Sequence, residues 1–335
     1  MVTGMRVARL TLTVALAALA AIACGSSSSS TSNTWRRVSD TPGSRFEAWA
    51  GCDGARVWYV GGILDDSPAQ DDPKPSAHVD VLQVGTNRWS RAADLPDDAP
   101  KHHLTATLFS GKLWVLSGFD GILGGSMPFI PKATAYVLEA GAWRHLRDAP
   151  TARGGATVQA IGGKLYVAGG APTEEAPSIA ALDVYDPQTD TWSQRAPLPT
   201  PREHVASCVV GGRFVVIGGW NQKREVQAVV EAYDPATDQW TRLPDLPTAR
   251  GGLGAVNVGE RCYAIGGETW ATPPPATFGA AEMLDPQTGR WAPLAPMPTP
   301  RHGLGLAVVG GEVWALGGGP RQGNSYTTVI EAYRP

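Results

Sequence analysis

From Trp35 to the C-terminus the chain alternates short apolar runs with clusters of Gly, Pro, Asp and Asn. Outside the N-terminus few stretches carry a helical period. Runs of four to six residues bounded by turn formers predict strands throughout, and so an all-β fold. The stretch ending the chain shows the unit. "LGLAVV" (Leu304–Val309) predicts a strand a, "EVWALGG" (Glu312–Gly318) a strand b, and "IEAY" (Ile330–Tyr333) a strand c. Elsewhere a turn such as "YDPQTDTW" (Tyr185–Trp192) follows c and leads into a strand d that begins at the Trp. Pro presets φ in that turn, and Asp bonds back to its own backbone.

The unit repeats. Small-residue doublets end six apolar runs, at Gly61–Gly62, Ser117–Gly118, Gly169–Gly170, Gly218–Gly219, Gly266–Gly267 and Gly317–Gly318, spaced by 56, 52, 49, 48 and 51 residues. Six tryptophans keep step: Trp35, Trp89, Trp143, Trp192, Trp240 and Trp291. Seven residues before five of them stand Leu82, Tyr136, Tyr185, Tyr233 and Leu284. A Gly-Gly doublet followed by Tyr and Trp at fixed spacing resembles the kelch repeat. The resemblance covers residues 35–335 and implies a six-bladed kelch β-propeller with four-stranded blades. In two units "LQVGTNRW" and "LEAGAW" replace the Tyr-Asp-Pro form. The last unit lacks a strand d, whereas "NTWRRV" (Asn33–Val38) precedes the first. The N-terminal strand around Trp35 is therefore expected to complete the last blade and close the ring, leaving no free edge there. Each Trp is expected to be a large buried unit between neighbouring blades.

Strand alternation sorts the loops onto two faces. The a–b and c–d turns are short and alike, so they read as folding grammar. The b–c loops and d–a connections share the other face and vary, which is where a rigid repeat scaffold carries binding. The longest b–c segments are Ile63–Ser76 and Phe119–Lys132; the second offers Phe119, Met127 and Phe129 as an apolar patch unless they fold back. The d–a connections place Arg45, Lys101, Arg153, Arg202, Arg250 and Arg301 equivalently. Strand a lines the channel of a propeller, so these six cations are expected to ring its mouth. They would form an anion site, unless each guanidinium caps backbone carbonyls or a neighbouring blade's carboxylate. With His103, Trp220, Asn221 and Glu268 they make up the candidate ligand-binding set. Some blades put Glu or His in place of Gly, at His102, Glu203 and His302 one place after the cation and at Glu47, His103 and His204 two places after it. Of these, Glu203, His204 and Glu47 are the candidates for acid–base chemistry. Glu47, His103 and His204 share a blade position, but their chain spacing carries no metal signature, so neither metal nor other cofactor is expected.

The first 23 residues stand apart. Arg6 and Arg9 precede the apolar run Leu10–Ala23, which is too short to span a bilayer and fits an export signal. "AIAC" resembles a bacterial lipobox, with Ala21 in place of the usual Leu, and implies lipidation of Cys24. Gly25 after that Cys resembles signals permitting transfer to an outer membrane. Residues 24–33 read as a Ser-rich tether, about 15–18 Å long on average, ahead of a propeller at 34–335. An exported protein held at the cell envelope by a lipid anchor is the expectation. The whole chain carries 28 basic and 31 acidic residues; without Arg6 and Arg9, 26 basic residues remain and the balance is −5. That argues against a nucleic-acid partner. Cys52, Cys208 and Cys262 are odd in number and read as buried apolar residues rather than a disulfide framework.

Two function classes follow. One is a non-enzymatic module binding a protein, peptide or glycan. The other is an enzyme on small anionic sugars, by analogy of fold with the bacterial sialic-acid mutarotases, with Arg202, Glu203, His204 and Arg250 as its candidates. A copper oxidase of the galactose-oxidase kind is disfavoured, because the chain has no Tyr-His dipeptide, few His and no extra domain.

Overall fold

The computed structural model describes Met1 and residues 32–65, 67, 73–121, 129–173, 176–270 and 276–335. The export signal, Cys24, the tether up to residue 31 and Met127 lie outside them. Ser32–Pro335 forms one unit. Among the described residues its regular structure is all strand, arranged as six antiparallel blades of four strands, the second with a short fifth strand at Ile130–Lys132, and two small accessory sheets. Strands a to d of blade 4, for example, are Ala206–Val210, Arg213–Ile217, Val230–Asp234 and Gln239–Leu243.

The N-terminus closes the ring. Thr34–Asp40 pairs antiparallel with Val329–Arg334 as strand d of blade 6, with Trp35 opposite Tyr333. Asn33, the last residue of the expected tether, is already part of the propeller. In blades 3 and 4 the turn aspartates Asp190 and Asp238 accept the Tyr185 and Tyr233 hydroxyls, both at 2.7 Å, and a backbone N–H of the preceding blade. Asn33 Oδ1 accepts the Tyr333 hydroxyl at 2.9 Å and the Ala295 N–H at 2.8 Å. The two chain ends thus rebuild the internal turn without a covalent link.

The six tryptophans are half-buried at the outer rim rather than enclosed. Each spends its indole N–H on the preceding blade: Trp192 Nε1 donates to Arg147 O at 2.9 Å and Trp240 Nε1 to Ala196 O at 2.8 Å, and the other four repeat the contact. Among the described residues the core is accordingly six clusters, one between each pair of neighbouring blades, with a seventh formed by Phe46, Ile63, Phe119, Phe129 and Tyr326. Period-two alternation along strand b feeds both neighbours: Phe214 and Val216 pack toward blade 3, Val215 and Ile217 toward blade 5. Two sequence expectations change here. Cys208 on strand a of blade 4 and Cys262 on strand b of blade 5 form a disulfide, leaving Cys52 free. Tyr136 is not the counterpart of Tyr185. The turn of blade 2 is shorter, so Leu138 faces Trp143 as Tyr185 faces Trp192.

Candidate site at the channel mouth

The d–a arginines do not line the mouth. Arg45, Arg153, Arg202, Arg250 and Arg301 are fully buried inside their blades. Each reaches the carbonyl of the first glycine of its doublet, sixteen residues on, and a carboxylate on strand c: Asp80, Asp183, Glu231, Glu282 and Glu331 in turn. Gly218 shows why the doublet excludes side chains: its φ is 60°, and a Cβ would stand 2.7 Å from Arg250 O. The anion site expected from the sequence is thus replaced by five intrablade ion pairs. The signal for them lies in the acid flanked by apolar residues on strand c, as in "LDVY" and "VEAY". Blade 2 changes both members. Lys101 Nζ instead donates to Pro96 O, Asp97 O and Ala99 O, and Tyr136, standing where the carboxylate would, donates to Asp98 Oδ1 at 2.6 Å.

Two places after each cation the backbone turns left-handed. Gly155, Gly252 and Gly303 have φ of 65, 61 and 54°, and Glu47, His103 and His204 have 52, 50 and 50° at the same place. Main-chain bonds between successive blades run around the mouth through these residues. His103 N donates to Glu47 O, Glu47 N to Gly303 O, Gly303 N to Gly252 O, and Gly252 N to His204 O, at 2.7–3.1 Å. The ring imposes positive φ, and a side chain there costs about 1–2 kcal/mol. Three blades bear that cost and send Glu47, His103 and His204 toward one point, with ligand atoms within 4.8 Å of one another. Gly303 leaves the space that Glu47 fills: a Cβ there would stand 2.4 Å from Glu47 Oε1.

Above this triad lies a cavity of about 320 Å³, walled by Phe46, Phe129, Trp220 and Trp270, with Glu203, Glu268, His302 and Arg224 on its polar side. Below it runs the strand-a channel, of about 450 Å³. Trp220 stacks on His204 with ring centroids 4.2 Å apart, held by reciprocal backbone bonds to Glu203. Phe119 and Phe129 fold back against His102 and His103, so neither forms an exposed patch. Asn221 stays outside the cavity: its side chain caps its own loop through Lys223 N, Glu225 N and the Glu225 carboxylate. Phe46, Phe129, Trp270, Arg224 and His302 line the cavity and were absent from the candidate set. His302 had a signal, standing in the register of Glu203 after its arginine.

The electrostatics are set by burial. His102 donates from Nε2 to Gly121 O at 2.8 Å, and its Nδ1 lies 2.7 Å from His103 Nδ1. Burial pulls His102 down to about 4 and His103 well below the usual imidazole range, so both are neutral near pH 7. One arrangement then satisfies the chain: His103 Nδ1–H donates to His102 Nδ1, and His103 Nε2 keeps a lone pair, 3.6 Å from Glu47 Oε2. Burial alone would raise the Glu47 carboxyl, but the surrounding imidazoles hold it well below the carboxylate range. Burial likewise disfavours a charged His302, yet the neighbouring Glu47 and Glu268 carboxylates outweigh it and raise its pKa.

The comparisons with known proteins agree with this architecture. A family model described as the KLHDC2/KLHL20/DRC7 Kelch-repeats domain matches residues 132–267, and the Kelch motif matches 249–298. These matches support a kelch-repeat family for the chain. Among kelch relatives, Kelch-like protein terF of Aspergillus terreus is 26% identical over 294 residues, covering 84% of this chain and 62% of that protein. Beta-scruin of Limulus polyphemus is 26% identical over 171 residues, half of this chain and 18% of its own length. The chain thus spans less than two thirds of these kelch relatives. The solved structure of YjhT superposes with a TM-score of 0.71 at 16% identity, covering 87% of this chain and 95% of that one, which shows the shared propeller fold.

Proposed function

We propose that this kelch propeller is a non-enzymatic interaction module of the bacterial cell envelope, exported and tethered through a lipid on Cys24. Its b–c and d–a face meets a protein, peptide or glycan, and the mouth cavity takes an end group of that partner. The observation carrying this reading is the make-up of the cavity. Aromatic rings form its walls, and Glu203 and Glu268 each present a buried carboxylate oxygen without a hydrogen-bond partner among the described residues. Such walls suit the flat face of a sugar ring or an aliphatic stem, and such oxygens suit hydroxyl or ammonium donors. The Cys208–Cys262 disulfide supports export, because such bonds persist in oxidising compartments. The anionic-sugar reading loses Arg202 and Arg250, whose guanidinium groups are spent within the blades, and keeps Glu203 and His204, which line the cavity.

The test is a thermal-shift screen of the full chain against neutral and amino sugars, acidic sugars and peptides. A ligand at about 100 Kd stabilises by about 2.7 kcal/mol. Spread over 304 residues, that is a rise of about 4 °C. Trp220→Ala and Glu203→Gln should remove the shift. A ligand whose shift survives both places binding on the outer b–c loops, and selective binding of acidic sugars overturns the assignment of ligand chemistry.

A further inference from the structure

Glu47, His103 and His204 lie 56 and 101 residues apart in the chain, and the ring alone brings them together. Three features of their setting go beyond what folding requires. They occupy left-handed positions that three other blades fill with glycine. His103 Nε2 and Glu47 Oε2 face each other 3.6 Å apart at the point where the three side chains converge. Each of the three is also held from behind. His103 is oriented through His102 to Gly121 O, Glu47 has His302 Nδ1 3.8 Å from its other oxygen, and His204 is stacked on Trp220. Such support behind a ligand set fixes tautomer and direction.

We infer that Glu47, His103 and His204 form a binding site for a divalent transition-metal ion, with an open coordination position facing the mouth cavity. Two imidazole nitrogens and one carboxylate oxygen suit zinc, iron(II), cobalt(II) or manganese(II) rather than calcium, which takes oxygen ligands. Ligands about 2.1 Å from a common ion stand roughly 3–3.6 Å apart. From a spread of up to 4.8 Å, side-chain rotations of about an ångström bring the set together. This departs from the expectation of no metal. It is independent of any partner, because metal binding is read on the protein alone.

The full chain, stripped by a chelator and desalted, is titrated with Co²⁺ while its visible d–d absorption is followed, and Zn²⁺ is then added in competition. One equivalent of Co²⁺ should bind and be displaced by one of Zn²⁺. Glu47→Gly, His103→Gly and His204→Gly each restore the residue that other blades carry, so each should melt at or above the wild-type temperature yet bind roughly 100-fold more weakly or worse. A purely structural role would instead lower the melting temperature. His102→Ala, which removes a positioning residue, should weaken binding about 10–100-fold. His145→Ala, on an exposed strand d, should change nothing. Should a glycine variant fail to fold, Glu47→Gln, His103→Asn and His204→Asn carry the same test. Binding well below one equivalent in the wild type, or wild-type affinity in the three variants, overturns the site.

Discussion

Replacing Arg250 by Met separates an arginine that serves its blade from one that serves a ligand. Arg250 is fully buried and donates to Gly266 O at 2.6 Å, Thr248 O at 2.7 Å, Ala264 O at 3.1 Å and Glu282 Oε2 at 2.6 Å. Met fills much of the volume but removes every one of these bonds. Glu282 then keeps one described side-chain donor, the Thr248 hydroxyl at 2.7 Å. Removing one member of a buried, hydrogen-bonded pair costs about 3–5 kcal/mol, because the other charge is left in a low-dielectric interior. Unfolding 304 residues at about 2.1 cal/mol/K each gives an entropy near 0.64 kcal/mol/K. The melting temperature should therefore fall by about 5–8 °C. Arg250→Met with Glu282→Leu removes the stranded charge and should recover at least about 2 kcal/mol, or roughly 3 °C. The assay is thermal unfolding by circular dichroism, paired with Co²⁺ titration at 25 °C. Cobalt affinity should be unchanged, since the guanidinium lies in the blade and not in the cavity. An unchanged melting temperature, or a double variant no better than the single, refutes the intrablade role.

Other outcomes follow from the same contacts. Deleting residues 33–40 removes strand d of blade 6 and the Trp35 and Asn33 bonds to Ala295, so the protein should lose its cooperative melt and aggregate on size exclusion; an intact melting temperature would contradict closure by the N-terminus. Reducing Cys208–Cys262 opens a 54-residue link, for which loop-closure entropy gives at most about 4 kcal/mol, seen as a fall of up to about 6 °C on adding dithiothreitol. Lys101→Arg alone should destabilise blade 2 by about 1–3 kcal/mol, as a guanidinium without its carboxylate, while Lys101→Arg with Tyr136→Asp should recover most of that. Additive effects in that cycle would show that the two positions do not form a pair.

Much of the fold can be read from the sequence because each blade repeats the same local chemistry. The Asp-Pro turn is one example: Asp186 Oδ1 accepts Gln188 N at 3.0 Å, and Asp234 Oδ1 accepts Ala236 N at 2.8 Å. Such bonds span two residues, so a short window of sequence contains them. The count of six and the missing last strand follow from that periodicity alone. The arginine pairs reach sixteen and about thirty residues along the chain, yet they too recur in every blade but one. Their carboxylate was visible as an acid inside an apolar strand. What hid its meaning was the side of the strand: the arginine turns into the blade rather than toward the channel.

The mouth obeys a different rule. No window of the sequence joins Glu47 to His103 and His204, because ring closure and one shared backbone conformation unite them. The trace they leave in the sequence is a failure to repeat, with Glu or His standing where sibling blades keep Gly. A residue that folding would fill with glycine, and that instead carries a buried side chain at left-handed φ, costs stability in every copy of the protein. Selection for folding alone would remove it. Blade 2 offers the contrast, for its departure from the repeat comes with compensation: Lys101 and Tyr136 change together, and each finds new partners within the blade. The changes beside His103 and His204 repair nothing in the blade: His102 orients His103, and Trp220 stacks on His204. What Glu47, His103 and His204 gain is one another, in the space between blades. Departures compensated within a blade therefore read as drift in the scaffold, and those that converge between blades as the site.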